Sequence, residues 1–148
     1  MNEKTLNDAD LADLRCLAGM IVPASTKYAV PGADDATIVA DIVRGIGRDM
    51  HHVNAALTRL RALSGGSFAA LTPARRAEVA AQLRAERNQA VGVLTRIVLL
   101  CYYRDDRVMV SLGLEPRPPF PKGHVVEQGD WSLLDPVRTR KPFWRPVS

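Results

Sequence analysis

Three histidines, two cysteines and two Asp–Asp steps are the residues of this 148-residue chain with the most chemistry to offer. His51 and His52 are adjacent, so on a helix they diverge by about 100° and cannot grip one metal as an i, i+4 pair does. Asp49 and Met50 beside them do not repair that geometry, and the pair reads as surface or interface histidines. His124 has no Cys or Ser partner pattern near it. Asp34–Asp35 and Asp105–Asp106 are carboxylate pairs at expected helix boundaries, where capping accounts for them. The densest polar run, Tyr102 to Arg107, reads as a helix end that packs two rings and pairs its charges. The glycines form neither a GxGxxG fingerprint nor a phosphate-binding loop. The sequence therefore predicts no catalytic residue, no metal site and no cofactor site in this chain.

Cys16 and Cys101 lie far apart, each inside an apolar helical run. They read as two buried thiols acting as small hydrophobes, with a bond within the chain or to a partner as the alternative. There is no CxxC, so neither a zinc ribbon nor covalent haem attachment is indicated.

The elements that position these residues are helical. Asn7 is a good N-cap, Asp10 occupies the capping-box position, and Leu6 and Leu11 stand where a hydrophobic staple would. Leu11, Leu14, Leu17, Ala18 and Ile21 then form an apolar stripe that Pro23 ends. After a loop with the turn signal Pro31–Gly32, Asp34 or Asp35 caps a second helix expected to run to Ser64. Ile38, Ile42, Ile46, Met50, Val53, Leu57 and Leu60 recur along it at helical steps. Its length would be about 45 Å at 1.5 Å per residue. Gly45 and Gly47 inside it mark a kink, a close helix crossing or simple tolerance. Gly65–Gly66 breaks the chain, Thr72–Pro73 opens a third helix to Ala85, and a fourth starts near Asn88. That fourth helix is apolar nearly all round and is expected at the centre of the bundle.

Composition agrees with one ordinary core: 47% of residues are apolar, 24% are charged and only 5% are aromatic. The net charge is +4 with a pI near 9.4, yet acidic residues are interleaved with the arginines almost everywhere, which argues against a nucleic-acid surface. No apolar run approaches membrane-spanning length, and the first residues carry no export signal, so a protein without direct membrane insertion is expected, cytoplasmic unless a partner carries it out.

Beyond Asp105 the character changes. The stretch from Pro116 to Ser148 holds seven of the ten prolines and half of the aromatic residues, Phe120, Trp131, Phe143 and Trp144. Disordered tails are poor in aromatics. Burial of four rings is too little to order some thirty backbone residues, so the arm needs contact with the helical body, with another chain, or with both. Trp and Arg are also frequent interface anchors, and the arm sets Trp144 beside Arg145.

Several blocks, in order, resemble the gluconate 2-dehydrogenase subunit 3 family. Leu11 to Pro23 looks like that family's first helix ending in an Ile-x-Pro step, followed by the Pro31-Gly32-Ala33 turn. Phe68-Ala-Ala-Leu71-Thr72 is similar to its phrase before the third helix. Tyr102-Tyr103-x-Asp105-x-Arg107-Val108 with Leu112-Gly113 is the most recognisable block, and Pro119 to Gly123 matches a Pro-x-Pro-x-Gly ending. The likeness spans roughly residues 8–123. It implies a non-catalytic small subunit that binds, stabilises or chaperones a large FAD-dependent alcohol or sugar dehydrogenase of the glucose–methanol–choline type. The FAD belongs to that partner, and a cytochrome or another acceptor takes the electrons. Two departures stand out: the twin-arginine export signal of many relatives is not seen, and the extension past Gly123 is not a recognised family feature.

The expectation is thus an all-α chain: a compact bundle of about four helices over residues 1–105 and a long, extended, Pro-rich arm over 106–148 that wraps a partner. The partner contact is placed on Tyr102, Tyr103, Arg104, Phe120, Trp131, Phe143, Trp144 and Arg145. The rival is a stand-alone helical enzyme or small-ligand-binding protein with the arm as a lid.

Overall fold

The computed structural model describes residues 6–118, 120, 123, 125–141 and 144. Among them the order is α1 (Asp8–Ile21), α2 (Ala36–Gly45), α3 (Met50–Ser64), α4 (Pro73–Ala85), α5 (Gln89–Tyr103), α6 (Asp106–Ser111) and α7 (Asp135–Arg138), with 3-10 turns at Gly47–Asp49 and Trp131–Leu134. No strand occurs among the described residues; an isolated bridge joins Ser25 and Val30. The chain divides into two compact units, Met1–Pro116 and Arg117–Ser148.

The helix starts follow local chemistry. Asn7 accepts from Asp10 N while the Asp10 carboxylate accepts from Asn7 N, a reciprocal capping box. Asp35 caps α2, Thr72 caps α4 ahead of Pro73, and Asn88 caps α5, all through side-chain oxygens. Asp105 does the same for α6.

The single second helix expected from Asp34 or Asp35 to Ser64 is two helices. Gly47 adopts φ +42°, in the left-handed region, so the backbone leaves the α path there and restarts at Met50. The apolar period survives the break because Ile38, Ile42, Ile46, Val53, Leu57 and Leu60 all remain buried in one core. Gly45 faces α5 closely; a Cβ there would lie 3.4 Å from Cys101 Sγ.

As its all-round apolarity indicated, α5 is the central helix, packed on α1, α2 and α3, with α4 lying on α3. Residues 106–116, expected with the arm, belong to the helical unit: α6 follows α5 and buries Val108 in the same core.

The connection from α3 to α4 is held from below by a group that the sequence did not single out. Asp13, on α1, is fully buried. Its Oδ1 accepts from Ser67 Oγ at 3.1 Å and from Ala69 N at 2.9 Å. Its Oδ2 makes no hydrogen bond but lies 3.7 Å from Arg61 Nη2, which also pairs with Asp10. Between those two donors Phe68 enters the core completely.

Candidate partner-binding surface

The block Tyr102 to Val108 does mostly structural work. Tyr102 is only 4% exposed, and its hydroxyl donates to the Pro31 carbonyl at 3.2 Å. Burial pushes its phenol pKa upward. It ties the end of α5 to the Pro31–Gly32 turn and is not available to a partner, which corrects its place in the expected contact set. That turn is tight: a Cβ on Gly32 would lie 2.9 Å from the Ala24 nitrogen.

Arg107 then bridges two helix caps, reaching Asp35 at 2.8 Å and Asp105 at 2.9 Å. Its hydrogen bond holds the Asp35 carboxyl down at about 2, below its ordinary 3.8. Because the folded-state value is depressed, this contribution to stability is present above the unfolded pKa and is lost as pH falls through the folded one. We therefore expect the stability difference between wild type and Asp35→Asn, measured by thermal melts, to shrink between pH 4 and pH 2. A difference unchanged across that range would show that the ion pair contributes nothing.

Beside this lies a polar depression of about 480 Å³, lined by residues including Asp41, Arg44, Cys101, Arg104 and Arg107. Asp41 accepts from Arg104 at 2.6 Å and from Arg44 at 3.1 Å. The Arg104 guanidinium holds the Asp41 carboxyl below its usual range. Each of these arginines already has a carboxylate, so the depression offers no uncommitted cation to an anionic substrate. Burial raises the thiol pKa of both Cys101 and Cys16, and neither forms a disulfide.

Tyr103 is different. It is 54% exposed and packs edge-on against Tyr102, with ring centroids 5.2 Å apart. On one side it shares a depression of about 340 Å³ with Val22, Pro23, Tyr28, Val30 and Leu112. On the other it ends a stripe along α5 comprising Gly92, Arg96, Leu99, Leu100 and Tyr103, which borders a broad, shallow concavity of about 650 Å³. Leu100 is 58% exposed, and Tyr28 and Leu112 are exposed as well. Arg96 and Arg104 edge this apolar strip, tied to Asp49 and Asp41. An apolar centre holding a Tyr, with arginines at the rim, is the usual anatomy of an interface.

Sequence reasoning missed Tyr28, Leu100 and Leu112. The available signal was the all-round apolarity of α5: a helix apolar on every side in a small domain has more apolar surface than its neighbours can cover.

Within the second unit Phe120, Trp131 and Trp144 are exposed. Phe143 and Arg145 lie outside the described residues. The His51 and His52 rings are tilted against each other with centroids 3.9 Å apart. Among the described residues no three His, Cys, Asp or Glu side chains converge to hold a metal, and no helix is long and apolar enough to cross a membrane. Comparison with protein-family models, with curated proteins and with solved structures gives no match.

Proposed function

We propose that this chain is a non-catalytic small subunit that binds and stabilises a larger FAD-dependent alcohol or sugar dehydrogenase subunit. The observation that carries the binding role is the exposed stripe of α5. The helix buries Leu94, Ile97, Val98 and Cys101 in the core, yet turns Leu100 and Tyr103 outward with Leu99 half-buried beside them. Gly92 on the same stripe has no atom within 4 Å of where a Cβ would stand. Glycine inside a helix costs about 1 kcal/mol relative to alanine, so an unpacked one there fits a surface that another backbone approaches closely. The identity of the partner rests on the family likeness of residues 8–123. FAD and the route to a cytochrome or another acceptor belong to the partner.

Substituting both Leu100→Glu and Tyr103→Ala tests the surface. Both positions are more than half exposed, so the melting temperature of the isolated chain should change little. Retention of the flavoprotein should fall about 30-fold or more, as expected for losing an interface anchor and adding a buried charge. Unchanged retention would move the contact elsewhere.

A second reading, a small-ligand-binding protein, has one observation in its favour. A groove of about 380 Å³ between α1, α4 and α5 is lined by Leu17, Met20, Ile21, Leu94 and the alanines Ala77, Ala80 and Ala81, with Arg84 at its edge. Native mass spectrometry of the purified chain decides it: a retained small molecule supports this reading, and a bare protein mass counts against it.

A further inference from the structure

The segment Trp131–Arg138 is a continuous run of helical turns with two distinct faces. In such turns residues three apart share a face. Trp131, Leu134 and Val137 line one face, with Leu133 on its flank; all four are exposed. The other face is polar and internally bonded. Asp130 caps the segment, accepting from both Ser132 N and Ser132 Oγ. Asp135 pairs with Arg138 at 3.3 Å, and the Thr139 hydroxyl donates to the Asp135 carbonyl.

An isolated helix this short is marginal in water, and an apolar face left in solvent gains nothing from folding. The cap, the proline at position 136 and the ion pair hold the conformation locally instead. A preformed helical turn pays less ordering entropy on binding, which is the advantage of a helix-in-groove motif.

We infer that Trp131–Arg138 is a docking helix that inserts Trp131, Leu134 and Val137 into an apolar groove on a partner protein. The charge of the chain that follows defines the rim of that groove. Residues 136–148 carry Arg138, Arg140, Lys141 and Arg145 and no Asp or Glu, a break in the interleaving seen elsewhere. The groove is therefore bordered by carboxylates on the side that the chain follows after residue 138. An anionic membrane is the poorer fit, because Asp135 stands on the inserting segment and Asp130 caps it, and surface-lying helices are normally longer and Lys/Arg-rich on their polar face. The inference rests on the proposed partner-binding function and adds where and how the arm engages.

The test uses the full-length chain in its native host with a photo-crosslinking amino acid at position 131, 137, 132 or 139, followed by peptide identification. Crosslinks from 131 and 137 to an Asp/Glu-flanked apolar segment of the co-purified flavoprotein, with few from 132 and 139, are expected. Trp131→Ala with Leu134→Ala should lower flavoprotein retention at least tenfold while leaving the melting of the helical unit unchanged. Equal crosslinking from both faces, crosslinks confined to the chain itself, or unchanged retention would overturn the docking helix while leaving the subunit reading intact. Crosslinks from 131 and 137 to a defined Asp/Glu-flanked groove of a non-flavin protein would support the helix and sink the flavoprotein partner. Sedimentation of the wild-type chain with phosphatidylglycerol vesicles, abolished by the same double substitution, would assign the segment to a membrane and overturn the proposal.

Discussion

Asp13→Ala is expected to destabilise the helical unit by about 3–5 kcal/mol, the range for breaking a buried charged hydrogen-bond network. The reason lies in what remains behind. Ser67 Oγ and Ala69 N both donate to the fully buried Asp13 carboxylate, and alanine removes the acceptor from both of these part-buried hydrogen bonds. Arg61 keeps its pairing with Asp10, so the loss is centred on the loop. Asp13→Asn separates geometry from charge: its amide oxygen still serves both donors, while its NH2 faces Arg61 in place of an anion. The asparagine variant should lose only about 1 kcal/mol. Urea unfolding followed by circular dichroism reads both, and equal losses in the two variants would show that the carboxylate acts through its charge on Arg61 and not through the loop.

The second large effect is at Phe68, the largest of the fully buried side chains. Phe68→Ala should cost about 3–5 kcal/mol, combining lost burial with a cavity that the surrounding helices cannot close. Phe68→Leu should cost about 1–1.5 kcal/mol, because most of the volume is kept. For a unit of this size that places the alanine variant on the order of 10–20 °C lower in melting temperature. Phe68 sits between Ser67 and Ala69, the two residues that Asp13 grips, so the two substitutions should be coupled. In the Asp13→Ala background the ring's anchor is already loose, and Phe68→Ala should cost at least about 1 kcal/mol less than in wild type. Strict additivity would mean that the carboxylate and the ring stabilise the loop independently.

Much of the helical unit could be read from the sequence because its signals are local. The caps at Asn7 and Thr72, the Asp34–Asp35 step, the helix start near Asn88 and the three- and four-residue apolar steps each act within a turn or two of the chain. The break near Gly47 was only half legible. Two glycines lay inside an unbroken apolar period, and the backbone angle that ends the helix is a property of one residue that periodicity does not sense. Asp13 was illegible for another reason: an aspartate within a helix reads as solvated, and only the return of residues 67–69 across α1 gives it buried partners.

The expected contact surface divided along the same line. Tyr102 and Tyr103 are adjacent and chemically alike, but the helix turns one toward the Pro31 carbonyl and the other to solvent. Composition ranks them equally as interface anchors, and only the placement of the loop before α2 separates them. Leu100 was hidden by the opposite error, because an apolar residue in a central helix is expected to be covered. The recognisable run from Tyr102 to Val108 proves to be largely a brace, through Tyr102 on the Pro31 carbonyl and Arg107 on Asp35, with Tyr103 its outward-facing ring.

The most direct test of the central claim is affinity purification of the tagged chain from its native host, followed by an absorbance spectrum of what remains bound. Flavin bands together with a stoichiometric large subunit, both absent when Leu100→Glu and Tyr103→Ala are introduced, are the expected result. A colourless, well-folded monomer that retains no large subunit would contradict the accessory-subunit function.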